Sequence, residues 1–317
     1  MRNIAAMHPD AERVNAILAE LGASGLPPKT VEEMRAFARK RARRLAGEPA
    51  PVARVENTVV ANGEHRVPVR IYFPEENPTR PLPAYIYAHG GGFVVGDLDM
   101  VDAACRTICK DAGIVVISID YRLAPEHKFP AGLDDTIAAT RWVRANASAL
   151  GVDAGRLAIG GDSAGGNLAA ATCQAVAGSG DLDIRLQVLV YPVTDLTCSH
   201  PSYQDLGTGY FLTAERMHAY VAHYLNNADE ARDPRASPLM AASLEKQPPA
   251  LVILAGLDPL LDEGQAYARR LREADIEVEI HEVPDHMHGF LGWSRESAAA
   301  RDALSLIARR LKETLTA

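Results

Sequence analysis

The chain has 317 residues, of which 47% are hydrophobic and 23% are charged, and its net charge at pH 7 is −8. These proportions are those of an ordinary globular protein and exclude a disordered or fibrous chain. The acidic balance argues against a nucleic-acid partner. No apolar run approaches the roughly 18 residues that span a bilayer, so the sequence also predicts no membrane partner.

Cysteine usage gives no sign of a metal site. The four cysteines show no C-x-x-C spacing, which argues against both a zinc site and a disulfide framework: Cys105, Cys109, Cys173 and Cys198. The N-terminus lacks the apolar core of a signal peptide. We therefore predict no metal, reduced thiols and a cytoplasmic location.

Two helices are predicted at the front of the chain, Pro9–Leu21 and Lys29–Leu45, separated by a turn at Gly22–Pro28. The second helix carries the one basic cluster of the sequence: Arg35, Arg39, Lys40, Arg41, Arg43 and Arg44. We interpret this cluster as a solvated helix face rather than as a membrane or phosphate site. Two strands follow, Val55–Val60 and His65–Phe73, and the Asn62-Gly63 step between them predicts a hairpin.

From Ala84 onward, apolar strands alternate with helices. The predicted strands are Ala84–Ala88, Ile114–Ile119, Arg156–Ile159, Leu186–Tyr191, Ala250–Ala255 and Val278–Val283. The predicted helices are Met100–Ala112, Leu133–Leu150, Ser163–Ala177, Asp262–Ala274 and Ser297–Leu315. This alternation predicts an α/β fold with a mostly parallel sheet and helices on both faces. In such a sheet, ligands bind beyond the carboxyl ends of the strands.

The alternation breaks between Asp195 and Pro238, where aromatic residues surround a predicted helix from Thr213 to Leu225. Such an insertion is more often a lid than a core element. We expect it to join the N-terminal helices in a helical cap, with residues 1–48 and 197–236 in the cap and residues 49–196 and 237–317 in the catalytic core. The candidate residues for the substrate pocket are Tyr203, Tyr210, Phe211 and Met217.

A G-x-S-x-G pattern places Ser163 between a predicted strand and a predicted helix. Gly161 and Gly165 lack Cβ atoms, so strand and helix can approach closely around a strained turn that exposes the serine hydroxyl. The alternatives are a Gly/Ser-rich turn without chemistry, which the flanking strand and helix disfavour, and a phosphate cradle. The latter is weaker because no Gly-Lys-Ser/Thr follows.

A second glycine-rich stretch, His89-Gly90-Gly91-Gly92, also follows an apolar strand. The amides of Gly90 and Gly91, together with that of Ala164 after the serine, are predicted to form an oxyanion hole. Taken alone, the stretch is equally consistent with a flexible loop.

A serine nucleophile requires a base and an acid that orients it. Asp258 follows the strand Ala250–Ala255, and Asp195 is its competitor after the preceding strand. His288 and His286 both follow the last strand, and only one of them can meet the serine. We favour His288 because the glycine that follows it permits a tight turn. The chain order Ser, Asp, His is that of α/β-hydrolases.

Support for the loop that carries His89 is predicted from the segment Asp120–Glu126, which closes another apolar strand. Glu126 or Arg122 would hold that loop, and a plain salt-bridged corner is the alternative. Asp162, the residue before the serine, is interpreted as structural or supporting.

Taken together, these motifs resemble those of the hormone-sensitive-lipase-like branch of the α/β-hydrolases, the bacterial family IV esterases. The resemblance runs from about Pro83 to Phe290 and includes Asp258-Pro259-Leu260, His288-Gly289-Phe290 and Ser237-Pro238-Leu239. It implies a carboxylesterase for short acyl chains that needs no cofactor, with a small-molecule ester as its partner. It also implies a homodimer through the last strand. The Asp285-His286-Met287 stretch departs from the family by placing a second histidine near the base.

The resemblance implies specific roles: Ser163 as nucleophile, His288 as base, Asp258 as its orienter, and Gly90, Gly91 and Ala164 as oxyanion donors. Three rival functions stay open: an amidase, a lactone hydrolase or a carbamate hydrolase with the same triad. A non-catalytic small-molecule receptor, as in the plant gibberellin receptors, is disfavoured because such receptors lack the catalytic histidine. A triacylglycerol lipase is disfavoured by the tyrosines and charges of the proposed cap.

Overall fold

The computed structural model describes residues 4–23, 30–76, 78–180 and 182–316. Its sheet is built from strands β1 (Arg54–Asn62), β2 (His65–Phe73), β3 (Leu82–Ala88), β4 (Val115–Ile119), β5 (Val152–Asp162), β6 (Ile184–Val190), β7 (Ala250–Leu257) and β8 (Val278–Met287). Its helices are α1 (Pro9–Leu18), α2 (Val31–Leu45), α3 (Asp102–Ala112), α4 (Ala131–Ala145), α5 (Ala147–Leu150), α6 (Ala164–Val176), α7 (Ser202–Asp205), α8 (Ala214–Tyr224), α9 (Leu261–Glu273) and α10 (Ala298–Thr316).

The described strands form one sheet in the order β1-β2-β4-β3-β5-β6-β7-β8. β2 pairs antiparallel with both β1 and β4, and every other pair is parallel. All residues of β3 and β4 are buried, which explains why the central strands read as continuous apolar runs. The predicted fold class is confirmed.

The sheet separates two hydrophobic cores. On one face, side chains of α4, α6 and α9 pack with residues of the 195–238 segment. On the other face, α3 and α10 pack with α1. Helices cover both faces of the sheet but leave the carboxyl ends of the parallel strands uncovered. The loops that follow those strand ends carry the site described below.

Most predicted elements are observed with shifted ends. β8 is four residues longer than predicted and includes His286. The predicted helix Leu133–Leu150 is instead two helices, α4 and α5, that meet at Asn146. The hairpin of β1 and β2 closes over Gly63 and Glu64, with Asn62 opposite His65. Part of the predicted turn Gly22–Pro28 lies outside the described residues.

The segments assigned to the cap contain α1, α2, α7 and α8. A capping box begins α2, because the Thr30 hydroxyl accepts a hydrogen bond from the Glu33 amide and the Glu33 carboxylate accepts one from the Thr30 amide. α8 begins at Thr213 with a similar side-chain cap. Of the helices in the described part of the chain, none is both long and apolar enough to cross a bilayer.

Candidate active site

The strand-to-helix turn at Ser163 is strained. β5 ends at Asp162 and α6 begins at Ala164, so Ser163 is the single residue between them, with φ 57° and ψ −118°. A side chain at Gly161 or at Gly165 would overlap the carbonyl oxygen of Ala88 at the end of β3. Both glycines are therefore required for the close approach that holds the serine at the apex.

A continuous chain of hydrogen bonds connects Ser163 to a buried carboxylate. His288 Nε2 lies 2.9 Å from Ser163 Oγ, and His288 Nδ1 lies 2.6 Å from Asp258 Oδ2. Because a carboxylate only accepts hydrogen bonds, the proton belongs on Nδ1, and Nε2 is then free to accept from the serine hydroxyl. All three side chains are buried, and the Leu260 amide holds the second oxygen of Asp258 at 2.9 Å.

The competing acid and the competing base lie elsewhere. Asp195 accepts from the Thr197 amide at 2.8 Å and contacts His200 at 3.1 Å. His286 lies 2.8 Å from its neighbour Asp285, and its ring stacks on His8 with centroids 5.1 Å apart. His286 thus contacts the N-terminal segment rather than the serine.

The glycine-rich loop differs from the prediction at one residue. The Gly90 amide donates to Asp162 Oδ1 at 2.9 Å, so it is not free to stabilise an oxyanion and the prediction for Gly90 is wrong. The same carboxylate oxygen accepts from the Tyr87 hydroxyl at 2.6 Å. The amides of Gly91 and Gly92 donate to no acceptor in the part of the chain that the structure describes.

Ala164 is the first residue of α6, where a backbone N–H has no partner within the helix. Free amides from the loop and from this helix end therefore surround the serine, where the helix dipole also favours negative charge. Asp162 has the supporting role that its position suggested, because its carboxylate anchors the loop at Gly90.

His89 supports this loop from within the core. Its Nδ1 lies 2.9 Å from the Gly90 carbonyl oxygen, and its ring stacks on Tyr121 with centroids 4.4 Å apart. The Tyr121 hydroxyl donates to the His89 carbonyl at 2.8 Å. Tyr121, which lies in the segment expected to support the loop, is thus the residue of that segment that contacts His89.

Glu126 and Arg122 do not contact His89. Arg122 pairs with the buried carboxylate of Asp135 at 2.8 Å. Glu126 is half-exposed and pairs with Arg35 of α2 at 2.6 Å, and this hydrogen bond lowers the pKa of Glu126 to about 2. Arg35 also donates to the Val94 carbonyl at 3.0 Å. Glu126 therefore contacts the loop only indirectly, through the arginine that connects α2 to it.

A family model described as the alpha/beta hydrolase fold matches residues 85–292, about two thirds of the chain. The chain belongs to this family. The resemblance inferred from the motifs is therefore confirmed, because the α/β-hydrolase motifs from His89 to His288 all lie within the matched residues.

Named relatives of this α/β-hydrolase are esterases. An ethyl acetate hydrolase of Pseudomonas putida is 41% identical over 79% of this chain and 80% of its own length. The carboxylic ester hydrolase LipN of Mycobacterium tuberculosis is 45% identical over 71% of this chain and 61% of its own. The structure of ester-hydrolase EH1AB1 from the metagenome of Lake Arreo, complexed with a derivative of bipyridine phosphonate, superimposes with a TM-score of 0.93 at 37% identity. That match covers 98% of this chain and 100% of EH1AB1.

A narrow cavity of about 90 Å³ opens beside Ser163 and His288. Phe211 and Met217 line it as predicted, whereas Tyr203 and Tyr210 do not. Tyr203 is buried in the core, where its hydroxyl donates to Glu263 at 3.1 Å. Burial raises the pKa of Glu263 well above its usual range.

Sequence reasoning missed several residues of the cavity wall. Those with large or charged side chains are Arg41, Met100, Val101, Leu212, Arg216, Tyr220 and Trp293. The Tyr220 ring packs directly over Gly92, so a side chain at Gly92 would overlap it. α2 and α8 thus contact both the cavity and the loop that follows β3.

The basic cluster of α2 is not a solvated face throughout, which corrects the prediction. Arg35 is bonded to the loop and to Glu126, and Arg41 faces the cavity. The Arg41 guanidinium lies 4.8 Å from the centre of the Phe211 ring, and that of Arg216 lies 5.4 Å from it. Burial lowers the pKa of Arg41, and the nearby Tyr220 and Asp162 oppose this change.

Proposed function

We propose that this α/β-hydrolase is a serine carboxylesterase that cleaves short-chain acyl esters through an acyl-enzyme intermediate. The ester-hydrolase class follows from its relatives, which include a carboxylic ester hydrolase and an ethyl acetate hydrolase. The observation that carries the mechanism is the hydrogen-bonded chain from Asp258 through His288 to Ser163, with separations of 2.6 and 2.9 Å.

In the first half of the reaction, Ser163 Oγ attacks the ester carbonyl carbon while His288 Nε2 takes its proton. His288 then gives this proton to the leaving alkoxide, and the acyl group stays on Ser163. In the second half, His288 Nε2 takes a proton from water as the water oxygen attacks the acyl carbon, and it gives this proton to Ser163 Oγ as the bond between Oγ and the acyl carbon breaks and the carboxylic acid leaves. Asp258 holds the imidazole in the required tautomer and stabilises its cation.

Three backbone amides would stabilise the oxyanion, those of Gly91, Gly92 and Ala164. Their support is that Gly91 and Gly92 line the same cavity as Ser163, that Ala164 follows Ser163 in the chain, and that none of the three amides donates to a described acceptor, whereas the Gly90 amide donates to Asp162. Removing one such donor in another hydrolase costs about 3 kcal/mol of transition-state stabilisation.

The preference for short acyl chains has two supports. The cavity beside Ser163 is small, with a volume of about 90 Å³, and bulky side chains such as Phe211, Tyr220 and Trp293 line it. The relative from Pseudomonas putida is named for ethyl acetate, an ester with a two-carbon acyl group. We propose that the cap, residues 1–48 and 197–236, sets this size limit, because α2 and α8 supply Arg41, Met217 and Tyr220 to the cavity wall.

Location and assembly are also part of the proposal. The four cysteines are free and buried, which suits a reducing, cytoplasmic environment. β8 is the last strand of the described sheet; its Asp285 carbonyl already accepts from the His8 amide, and we assign pairing with a second copy to the stretch Val278–Val283. We expect light scattering on the purified protein to give twice the mass of one chain, and a monomer at all concentrations would contradict the dimer.

The deciding experiment is hydrolysis of p-nitrophenyl esters from acetate to palmitate. We expect activity to peak at short chains and Ser163→Ala to lower kcat by roughly 10⁶-fold, since loss of the nucleophile has effects of this size in another hydrolase. Ser118→Ala is the matched control, because Ser118 is also buried but lies in β4 away from the cavity. An inactive wild type, or full activity in Ser163→Ala, would refute the mechanism.

A further inference from the structure

Two arginines of the cap segments face the cavity that contains Ser163. Arg41 comes from α2 and Arg216 from α8, and both line the cavity wall. The two guanidinium groups lie near one aromatic ring, that of Phe211, at 4.8 and 5.4 Å from its centre. Positive charges from two separate parts of the sequence are therefore brought to one point.

Neither arginine has a carboxylate partner within 4.0 Å among the residues that the structure describes. Arg216 donates to the carbonyl oxygen of Phe211 at 2.8 Å, and this contact leaves most of its five donors unused. Other partly buried arginines do have such partners, as Arg122 does with Asp135 and Arg70 with Asp102. A cation withdrawn from water without a paired counter-ion is costly, and for Arg41 the ring of Phe211 and the more distant charge of Asp162 offset only part of that cost.

The charge balance of the cavity is positive. Its described lining holds two guanidinium groups and one carboxylate, that of Asp162. Asp162 is already engaged, because one of its oxygens accepts from both the Tyr87 hydroxyl and the Gly90 amide. This excess contrasts with the net charge of −8 on the whole chain.

A wider groove leads outward from this cavity and carries more arginines. Its volume is about 650 Å³, and Ala42 and Met100 line both spaces. Arg39 and Arg43, from the exposed side of α2, line the groove as well. The groove is also lined by four carboxylates, those of Glu48, Asp97, Asp99 and Asp102, which offset most of its arginine charge, so we assign the anion site to the cavity alone.

We propose that Arg41 and Arg216 bind an anionic group of the substrate, so that the preferred substrate is a short ester that also carries a carboxylate. This inference rests on the proposed esterase function, and it names the substrate class for the same site. Arginine suits the task because its planar group pairs with both oxygens of a carboxylate. The carboxylate belongs either to the acyl part or to the alcohol part of the ester, and the test separates the two.

The test compares matched pairs of esters that differ by one charge. Monomethyl glutarate and dimethyl glutarate place the charge on the acyl side, and 4-acetoxybutanoate and its methyl ester place it on the alcohol side. Release of methanol from the first pair and of acetate from the second gives kcat/KM for each compound. The readout is the ratio of kcat/KM for the anionic ester to kcat/KM for the neutral ester.

We expect this ratio to fall about 10- to 100-fold in Arg41→Gln and in Arg216→Gln for one of the two pairs, which is the size of effect of a hydrogen bond to a charged group. Arg41→Lys and Arg216→Lys, which keep the charge, should restore part of the ratio. Arg44→Gln is the control, because Arg44 also lies in α2 but pairs with Glu296 outside the cavity. Its ratio should equal that of the wild type.

An unchanged ratio in both glutamine variants, or an equal loss on anionic and neutral esters, would overturn the proposal, because arginines that only pack against Phe211 affect both esters alike. The proposed esterase function would survive that result as long as the wild type cleaves the neutral esters. Failure of the wild type on all four compounds and on p-nitrophenyl esters would instead refute the esterase function itself.

Discussion

His288→Ala is expected to lower kcat for p-nitrophenyl butyrate by roughly 10⁴- to 10⁶-fold, while His286→Ala stays within about threefold of the wild type. The physical reason is that His288 Nε2 lies 2.9 Å from Ser163 Oγ and is the base positioned to take its proton. His286 is also buried, but it contacts Asp285 and the ring of His8. The two histidines are two residues apart, so each variant serves as the control for the other.

Two further measurements separate chemistry from folding in these variants. His286→Ala removes the stacking on His8 and the contact with Asp285, so it should lower the melting temperature by a few degrees without a matching loss of kcat. His288→Ala should unfold near the wild-type temperature but lose labelling of Ser163 by a fluorophosphonate, which requires an activated serine. If His286→Ala lost activity as severely as His288→Ala while still folded, the assignment of the base would be wrong.

The positions of Ser163, Asp258 and His288 were predictable from the sequence for a topological reason. Each residue follows a different strand of a parallel sheet, and the carboxyl ends of those strands meet at one edge. Apolar runs mark the strands clearly because both faces of the sheet are covered. The residues that follow such runs are therefore brought together by the fold itself, whatever the detail of the loops.

The role of Gly90 was not predictable in the same way. Its amide is taken by Asp162, and the direction of that carboxylate depends on the rotamer adopted at a strained turn. Glycine spacing does not reveal which of three neighbouring amides is free and which one is bonded to a side chain from another strand. The supporting contact made by Tyr121 is equally a matter of side-chain direction.

Arg41 was missed although the helix pattern contained a signal for it. It lies four residues after Phe37, three after Ala38 and four before Leu45, so helical spacing puts it on the apolar face of α2. The charge of Arg41 favours a solvated position and its spacing favours a buried one, so the two signals conflict at this residue. Tyr203 and Tyr210 were predicted wrongly for a different reason: they lie in the segment between Asp195 and Pro238, which gives no regular periodicity from which to infer which aromatic side chains face the cavity.

Gly91→Ala is the second change for which we expect a large effect, a fall in kcat/KM of roughly 10²- to 10³-fold. Gly91 has φ +133°, a conformation that residues with a Cβ atom rarely adopt, and a side chain there would overlap the carbonyl oxygen of Val95. The loop must therefore shift, and a shift displaces the free amides that we assign to the oxyanion. Gly113→Ala is the matched control, because Gly113 also has positive φ, at +68°, but no atom lies within 4 Å of the added carbon.

The comparison of these two alanine variants separates the effect of moving the loop on activity from the effect of backbone strain on stability. Gly113→Ala should cost about 1 to 2 kcal/mol of unfolding free energy, the price of a left-handed conformation with a Cβ atom, and leave kcat/KM unchanged. Gly91→Ala should show a similar or larger loss of stability together with the loss of activity, measured by urea unfolding and by ester hydrolysis. Because KM for a neutral ester depends little on the oxyanion donors, the change should be found in kcat. A Gly91→Ala enzyme with wild-type kcat would mean that the loop tolerates the side chain and that the oxyanion donors lie elsewhere.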